Sequence, residues 1–182
     1  MRRAVYEDAE KLTALTEATF GVRYTFVWEV QEFLQNPDNL IFVEERDGQL
    51  AAAICYLQEP KEKIMEDMAI SEADYDRIAG DKPALHYKYI AVDEAYQKQG
   101  IGDYLSRETL RLIDEEKRFG AIFTMFWVKD EHDMPMEHFA QRFSYQPLHY
   151  LKSPWWKYAD RTCSLCGGRC KCDAYIYYRT IG

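Results

Sequence analysis

The stretch from Ala84 to Val128 limits what this chain can fold into more than any other. An apolar, β-rich run over Ala84–Val92 leads through the turn DEAYQKQGIG into a helix with Ile101, Leu105, Leu112 and Ile113 on one face. Gly120 then opens a second apolar run, Ala121–Val128. Parallel strands need a crossover of this length, and such crossovers are right-handed, so the segment predicts a parallel βαβ unit. Around it, period-2 runs predict strands at 3–6, 40–44, 50–57, 145–151 and 173–180, with Asp47-Gly48 as a hairpin turn. Helical spacing predicts helices at 9–19, 26–34 and 136–143, the second ending at Asn36-Pro37. Residues 60–83 are polar and read as an insertion over one edge of the sheet, with a helical fragment capped by Ser71. The expected architecture is α/β: one domain over 1–182, with a mixed, mostly antiparallel sheet of about seven strands and flanking helices.

Composition removes several function classes. Carboxylates outnumber Lys and Arg by 31 to 23, giving a net charge of −8. Such a chain meets nucleic acid and anionic lipid with repulsion, so neither is expected as a partner. The opening MRRAVYEDAEK turns acidic at once, unlike a signal peptide, and no apolar run approaches the ~18 residues of a membrane span. A cytoplasmic protein is expected.

The turn Gln97-Lys98-Gln99-Gly100-Ile101-Gly102 lies between a strand and a helix. Successive backbone N–H groups at a helix N-terminus suit a phosphate or pyrophosphate, and glycine lets backbone come close. The competing reading is a pair of glycines that merely starts a helix. Neither a Walker loop nor a dinucleotide fingerprint is present. The string LHYKYIAVDEAYQKQGIGDYL resembles the acyl-CoA motif [QR]-x-x-G-x-[GA] of the GNAT N-acetyltransferases, and the order of elements over residues 1–151 and 173–181 is similar to that family. The resemblance implies that Ile90, Ala91 and Val92 pair their main chain with pantetheine, and that Gln97, Lys98, Gln99, Gly100, Ile101 and Gly102 cradle the pyrophosphate of acetyl-CoA. It also implies that the fourth and fifth strands part to admit the cofactor. Glu94 stands where many members have proline.

Acetyl transfer needs a neutral amine, yet an amine of reference pKa ~10.4 is roughly one part in a thousand free base at neutrality. Some family members carry a glutamate eleven positions before the motif glutamine; here that position is His86. His86 is the candidate base, directly or through water, against the alternative of a strand histidine bonded to its neighbours. Backbone N–H groups near Ala91 or Val92 would stabilise the oxyanion. For the departing thiolate the family uses a tyrosine in F-Y-x-x-L-G-F, and Phe139-Ala140-Gln141-Arg142-Phe143-Ser144-Tyr145 has Ala140 at that position and Ser144 at the glycine. Tyr145 is the candidate acid, with His138 and Tyr104 also near in sequence.

Cys163, Cys166, Cys170 and Cys172 fall within one ten-residue window, and Gly167 suits a knuckle turn. Arg161, Arg169 and Lys171 offset the thiolate charge. A structural Zn²⁺ site with no open position is the preferred reading, with an iron–sulfur site, disulfides or free thiols as alternatives. The neighbouring Trp155 and Trp156 either close the core or line the acceptor cleft.

Two functions follow. One is an acetyl-CoA-dependent N-acetyltransferase acting on a primary amine of a small molecule or peptide, with acidic runs such as Glu66-Asp67 and residues 130–133 favouring a cationic acceptor. The alternative is a zinc-stabilised acyl-CoA-binding or interaction module with weak or no transfer. Residues 20–36 and 58–83 are expected to shape the acceptor site.

Overall fold

The structure, a computed structural model, describes residues 1–128, 132 and 136–182. Its strands are β1 (Arg2–Arg3), β2 (Leu40–Arg46), β3 (Gln49–Leu57), β4 (Ala84–Val92), β5 (Ala121–Val128), β6 (Gln146–Leu151) and β7 (Asp173–Thr180). They form one seven-stranded sheet in the order β1-β2-β3-β4-β5-β7-β6. β4 and β5 are parallel, from Ala84↔Ala121 to Tyr87↔Thr124, whereas the β1–β2, β2–β3, β5–β7 and β6–β7 pairings are antiparallel. The expected mixed, mostly antiparallel α/β sheet with a central βαβ unit is what forms.

The chain divides into two compact units. The first comprises Met1–Leu57, Lys88–Leu110 and Tyr158–Cys170. Its helices α1 (Ala9–Phe20) and α2 (Val27–Gln35) bury Leu12, Leu15 and Val30 against Ile41 and Val43 of β2, Ala53 and Cys55 of β3, and Tyr89 and Ala91 of β4. Asp47 and Gly48 take positive φ angles of 53° and 76°, as a tight hairpin turn between twisted strands requires.

The second unit comprises Gln58–Tyr87, Arg111–Lys157 and Lys171–Gly182. Here the reading of residues 60–83 as an edge insertion needs correction. The segment forms two helices, α3 (Lys61–Met68) and α4 (Glu72–Ala79), and their apolar residues Ile64, Met68, Tyr75 and Ile78 pack on Ala84, Ala121, Phe123, Ala174 and Ile176. They cover a face of β4, β5 and β7 rather than an edge. Helix α3 escapes a periodicity search because a helix of two turns needs only two apolar residues, Ile64 and Met68, to bury one side. Ser71 caps α4 as expected, accepting the Asp74 N–H at 3.1 Å. Trp155 packs against this core, while Trp156 is exposed.

The α5 helix (Ile101–Glu116) follows β4, and α6 (Glu137–Arg142) precedes β6. The acidic run at 130–133 falls mostly on residues outside those described.

The predicted first strand is also shorter than expected. The Asp8 carboxylate accepts the Val5 N–H at 2.8 Å, and the Asp8 N–H donates to Val5 O at 2.9 Å, turning the chain into a 3₁₀ turn at Tyr6–Asp8. Arg2 grips the same carboxylate through two N–H groups, at 2.7 and 2.9 Å. That guanidinium holds the buried Asp8 carboxyl below the ordinary carboxylate range. A depressed folded pKa contributes stability that is present above the unfolded value and is lost as pH falls through the folded one. Asp8→Asn should therefore cost about 1–3 kcal/mol at pH 7. The gap to wild type should begin to narrow in urea titrations carried below about pH 4 and close only once the pH has fallen below the lowered folded pKa.

Candidate functional site

Within the first unit, β4 ends at Val92 and the chain turns at once. The Asp93 N–H donates to Ala51 O at 2.9 Å, and the Asp93 carboxylate accepts the Ala95 N–H at 2.9 Å. Asp93 thus caps the short 3₁₀ turn Glu94–Tyr96. The Gln97 side-chain amide donates to Val92 O at 3.1 Å, folding the turn back on its strand. Lys98 and Gly100 follow with φ of 59° and 78°, and Gly100 O accepts the Tyr104 N–H at 2.9 Å, starting α5. Ile101 and Leu105 are buried and anchor the helix, while residues 97–100 are exposed. The result is an open backbone turn at the positive end of a four-turn helix, where an anion is favoured.

The two glycines differ in what they do. Gly100 needs its left-handed conformation, with open space around the position a side chain would take. A methyl group at Gly102 would make ordinary contacts, 3.5 Å to Ile90 Cδ1 and 3.6 Å to Val92 Cγ2. Those contacts place the first turn of α5 on the segment Ile90, Ala91 and Val92, the residues expected to meet pantetheine.

In the second unit, His86 is almost fully buried on β4, and its Nδ1 lies 2.8 Å from Glu59 Oε2. Lys63 Nζ stands 3.8 Å from the other carboxylate oxygen of Glu59. Glu59 also lines a cleft of about 700 Å³ whose walls include Lys61, Tyr75, Asp76 and Lys82. Lys61 is held there between Glu72 at 3.0 Å and Asp76 at 2.6 Å. Sequence reasoning missed Glu59. It is a lone carboxylate between β3 and α3, and no local spacing ties it to a histidine 27 positions away.

Tyr145 lies elsewhere in that unit. Its ring sits about 6 Å from those of Tyr87, Phe126 and Phe139, in a buried aromatic cluster. Neighbouring residues of a strand point to opposite faces, so His86 and the Tyr87–Tyr145 cluster occupy opposite faces of β4. The structure does not bring the two catalytic candidates together.

Ala140, at the family's tyrosine position, is buried. Ser144 takes over the glycine's conformation at φ 59°, and the Tyr145 N–H donates to Ala140 O at 2.8 Å while the Ser144 N–H donates to Gln141 O at 3.3 Å. That pair of bonds closes α6 as a Schellman motif.

The ligand atoms of Cys163, Cys166, Cys170 and Cys172 all lie within 4.8 Å of one another, and no disulfide joins them. Four thiolates at ~2.3 Å from one tetrahedral ion would be about 3.8 Å apart, so the cluster is of the right size to close on a metal. The knuckle turn forms as the sequence suggests. The Cys163 N–H donates to Gly168 O at 2.8 Å, the Gly167 N–H donates to Cys163 O at 3.0 Å, and Gly167 sits at φ 66°.

Comparison with known proteins agrees with this geometry. The model of the acetyltransferase (GNAT) family matches residues 7–145, and the chain belongs to that family. It is therefore an acyltransferase, of the class that moves an acetyl group from acetyl-CoA. No curated protein matches the chain by sequence.

Among solved structures, the chain is similar to the ribosomal-protein-S18-alanine N-acetyltransferase of Escherichia coli, with 14% identity, a TM-score of 0.67 and coverage of 100% of this chain and 92% of that one. Arabidopsis thaliana NAA60, solved in complex with acetyl-CoA, gives 16% identity and a TM-score of 0.69 over 99% of this chain and 97% of that one. An N-acetyltransferase of Staphylococcus aureus gives 15% and 0.66 over 100% and 97%. At these identities the likeness is one of fold. The cysteine cluster lies beyond the residues that the family model matches.

The glycine turn carries a direct test. Gly100→Ala should cost about 1–2 kcal/mol, because a Cβ disfavours the left-handed conformation. Gly102→Ala, inside the helix, should leave the thermal midpoint unchanged or slightly raised. Equal losses from both substitutions would contradict this division of labour.

Proposed function

We propose that the protein transfers the acetyl group of acetyl-CoA to a primary amine of a small molecule or peptide by direct attack of the amine on the thioester. The observation that carries this reading is the exposed backbone turn Gln97–Gly102 at the start of α5, directly after β4. In this reading the amides of Gln97, Lys98, Gln99, Gly100, Ile101 and Gly102 bind the pyrophosphate, and the main chain of Ile90, Ala91 and Val92 orients the pantetheine arm. A backbone N–H at Ala91 or Val92 faces the developing oxyanion.

His86 takes the proton of the incoming amine, directly or through water. Glu59 holds Nδ1 and so fixes the tautomer that leaves the basic lone pair on Nε2. Tyr145 is the candidate for returning a proton to the sulfur, and it would have to do so from the face of β4 opposite His86. The acceptor is cationic, in keeping with a net charge of −8 and with Glu59, Asp76 and Asp81 on the cleft of the second unit. The cysteine cluster holds a structural Zn²⁺, for which four thiolates are a complete ligand set, and a reducing cytoplasm suits such thiols. No helix among the described residues is long and apolar enough to cross a membrane.

The buried Ala140 favours one rival, a binding module that holds acyl-CoA without efficient transfer. Thiol release from acetyl-CoA with a panel of amines separates the two, and CoA binding without turnover of any amine would decide for the module. His86→Ala should lower kcat/KM by about 10²–10⁴ and flatten its acidic limb, and an unchanged pH–rate profile would remove His86 from the chemistry. Tyr145→Phe should lower kcat within the same range of about 10²–10⁴ if it is the acid. Metal analysis of protein purified under reducing conditions should find one zinc per chain; a metal-free, fully active protein would end the zinc assignment.

A further inference from the structure

The cysteine loop has almost no core of its own. Thr162, Ser164, Leu165, Cys166, Gly167 and Arg169 are all exposed, so burial contributes little to ordering it. Yet the same loop is bonded along its length to the connection between α1 and α2. The Thr162 N–H donates to Val22 O and the Ser164 N–H to Phe20 O, both at 2.9 Å. Between these two outward amides, the Cys163 N–H points back into the knuckle. Arg161 extends the seam, donating to Tyr24 O at 2.6 Å and to Glu29 Oε1 at 2.6 Å. The other oxygen of Glu29 accepts the Phe26 N–H at 2.9 Å, which starts α2. The guanidinium also lies over the rings of Phe26 and Tyr158, at 5.5 and 4.9 Å.

Gly21 shows how closely the two backbones meet. At φ 119°, a methyl group there would lie 1.9 Å from Thr162 O. From this seam the contact passes to β4. Tyr24 packs on Phe20 and Tyr89, and its hydroxyl donates to Lys88 O at 3.4 Å. Burial pushes the phenols of both Tyr24 and Tyr89 above their ordinary range, so both stay neutral.

We propose that the metal held by Cys163, Cys166, Cys170 and Cys172 is a positioning element for the α1–α2 connection and, through it, for the second half of β4. By closing the cysteine loop it docks residues 161–164 on residues 20–24, and through Tyr24 it sets that segment on β4 beside Ile90, Ala91 and Val92. The inference rests on the zinc assignment and on β4 as the strand that meets the thioester. Its consequence is that order in residues 20–26 follows metal occupancy, whereas the pyrophosphate turn does not depend on it.

Hydrogen–deuterium exchange of the full chain, before and after zinc is stripped with 1,10-phenanthroline under reducing conditions, tests this. Exchange of amides in residues 20–26 should rise at least about tenfold and return when zinc is restored, while α5 keeps its protection. The affinity for acetyl-CoA by calorimetry should stay within about twofold, since its expected ligands are amides of another segment. Gly21→Ala and Arg161→Gln should loosen residues 20–26 with one zinc still bound, and Arg161→Lys should recover part of the protection. Unchanged protection of 20–26 after the metal has left would overturn the inference and leave the zinc site standing. Loss of protection throughout, α5 included, would also overturn it, because the metal would then hold the whole fold. A purified protein with no zinc to strip would remove both the site and the inference.

Discussion

Lys88 O accepts the Tyr24 hydroxyl and Val92 O accepts the Gln97 side-chain amide, so side chains reaching in from two different loops hold the second half of β4 at both ends. Strand main chain must find partners wherever it is buried. β4 lies between β3 and β5 in the sheet; Ala84–Tyr87 pair with β5, and beyond them Lys88 O and Val92 O also accept the side chains of Tyr24 and Gln97. The first turn of α5 then rests on Ile90 and Val92 through the small residue Gly102. Every chemical role assigned to the first unit depends on this one strand being held in register.

An acidic chain that binds a polyanion must do so with partial charges rather than whole ones. In the proposed reading oriented amides at the start of α5 would supply them, with Lys98 as the one full cation in the turn. Asp103 lies in the same first turn and would oppose an anion, but it is paired with Arg107. In the proposed reading the carboxylates elsewhere favour a cationic acceptor. Glu59 and Asp76 line the same cleft, and Glu59 also bonds the buried His86, an arrangement that suits the amine acceptor proposed above.

The cysteine loop solves a different problem. A polar connection of this length has too little apolar surface to hold itself, and hydrogen bonds to exposed backbone are worth little on their own. With the proposed metal bound, the four thiolates would convert it to a rigid edge, at which Arg161 and two main-chain amides could bind without a large entropy cost. The cluster lies beyond residues 7–145, which the family model matches.

Much of this was legible from one dimension. The βαβ unit, the Asp47-Gly48 hairpin, the Ser71 cap, the glycine turn and the knuckle at Gly167 are local features, set by φ preference and by hydrophobic period over a few residues. Their partners were not legible. Glu59 beside His86, Arg161 across Tyr24 and Glu29, and α3 over the face of β4, β5 and β7 join residues far apart in the chain. Nothing in a residue's neighbours records such a contact. Sequence by itself determined the glycine turn and the cysteine knuckle, because those turns are built from adjacent residues. Only the tertiary structure decided that His86 and Tyr145 stand on opposite faces of β4 and that the cysteine loop bears on the α1–α2 connection, because strand alternation and long-range packing set which side chains meet.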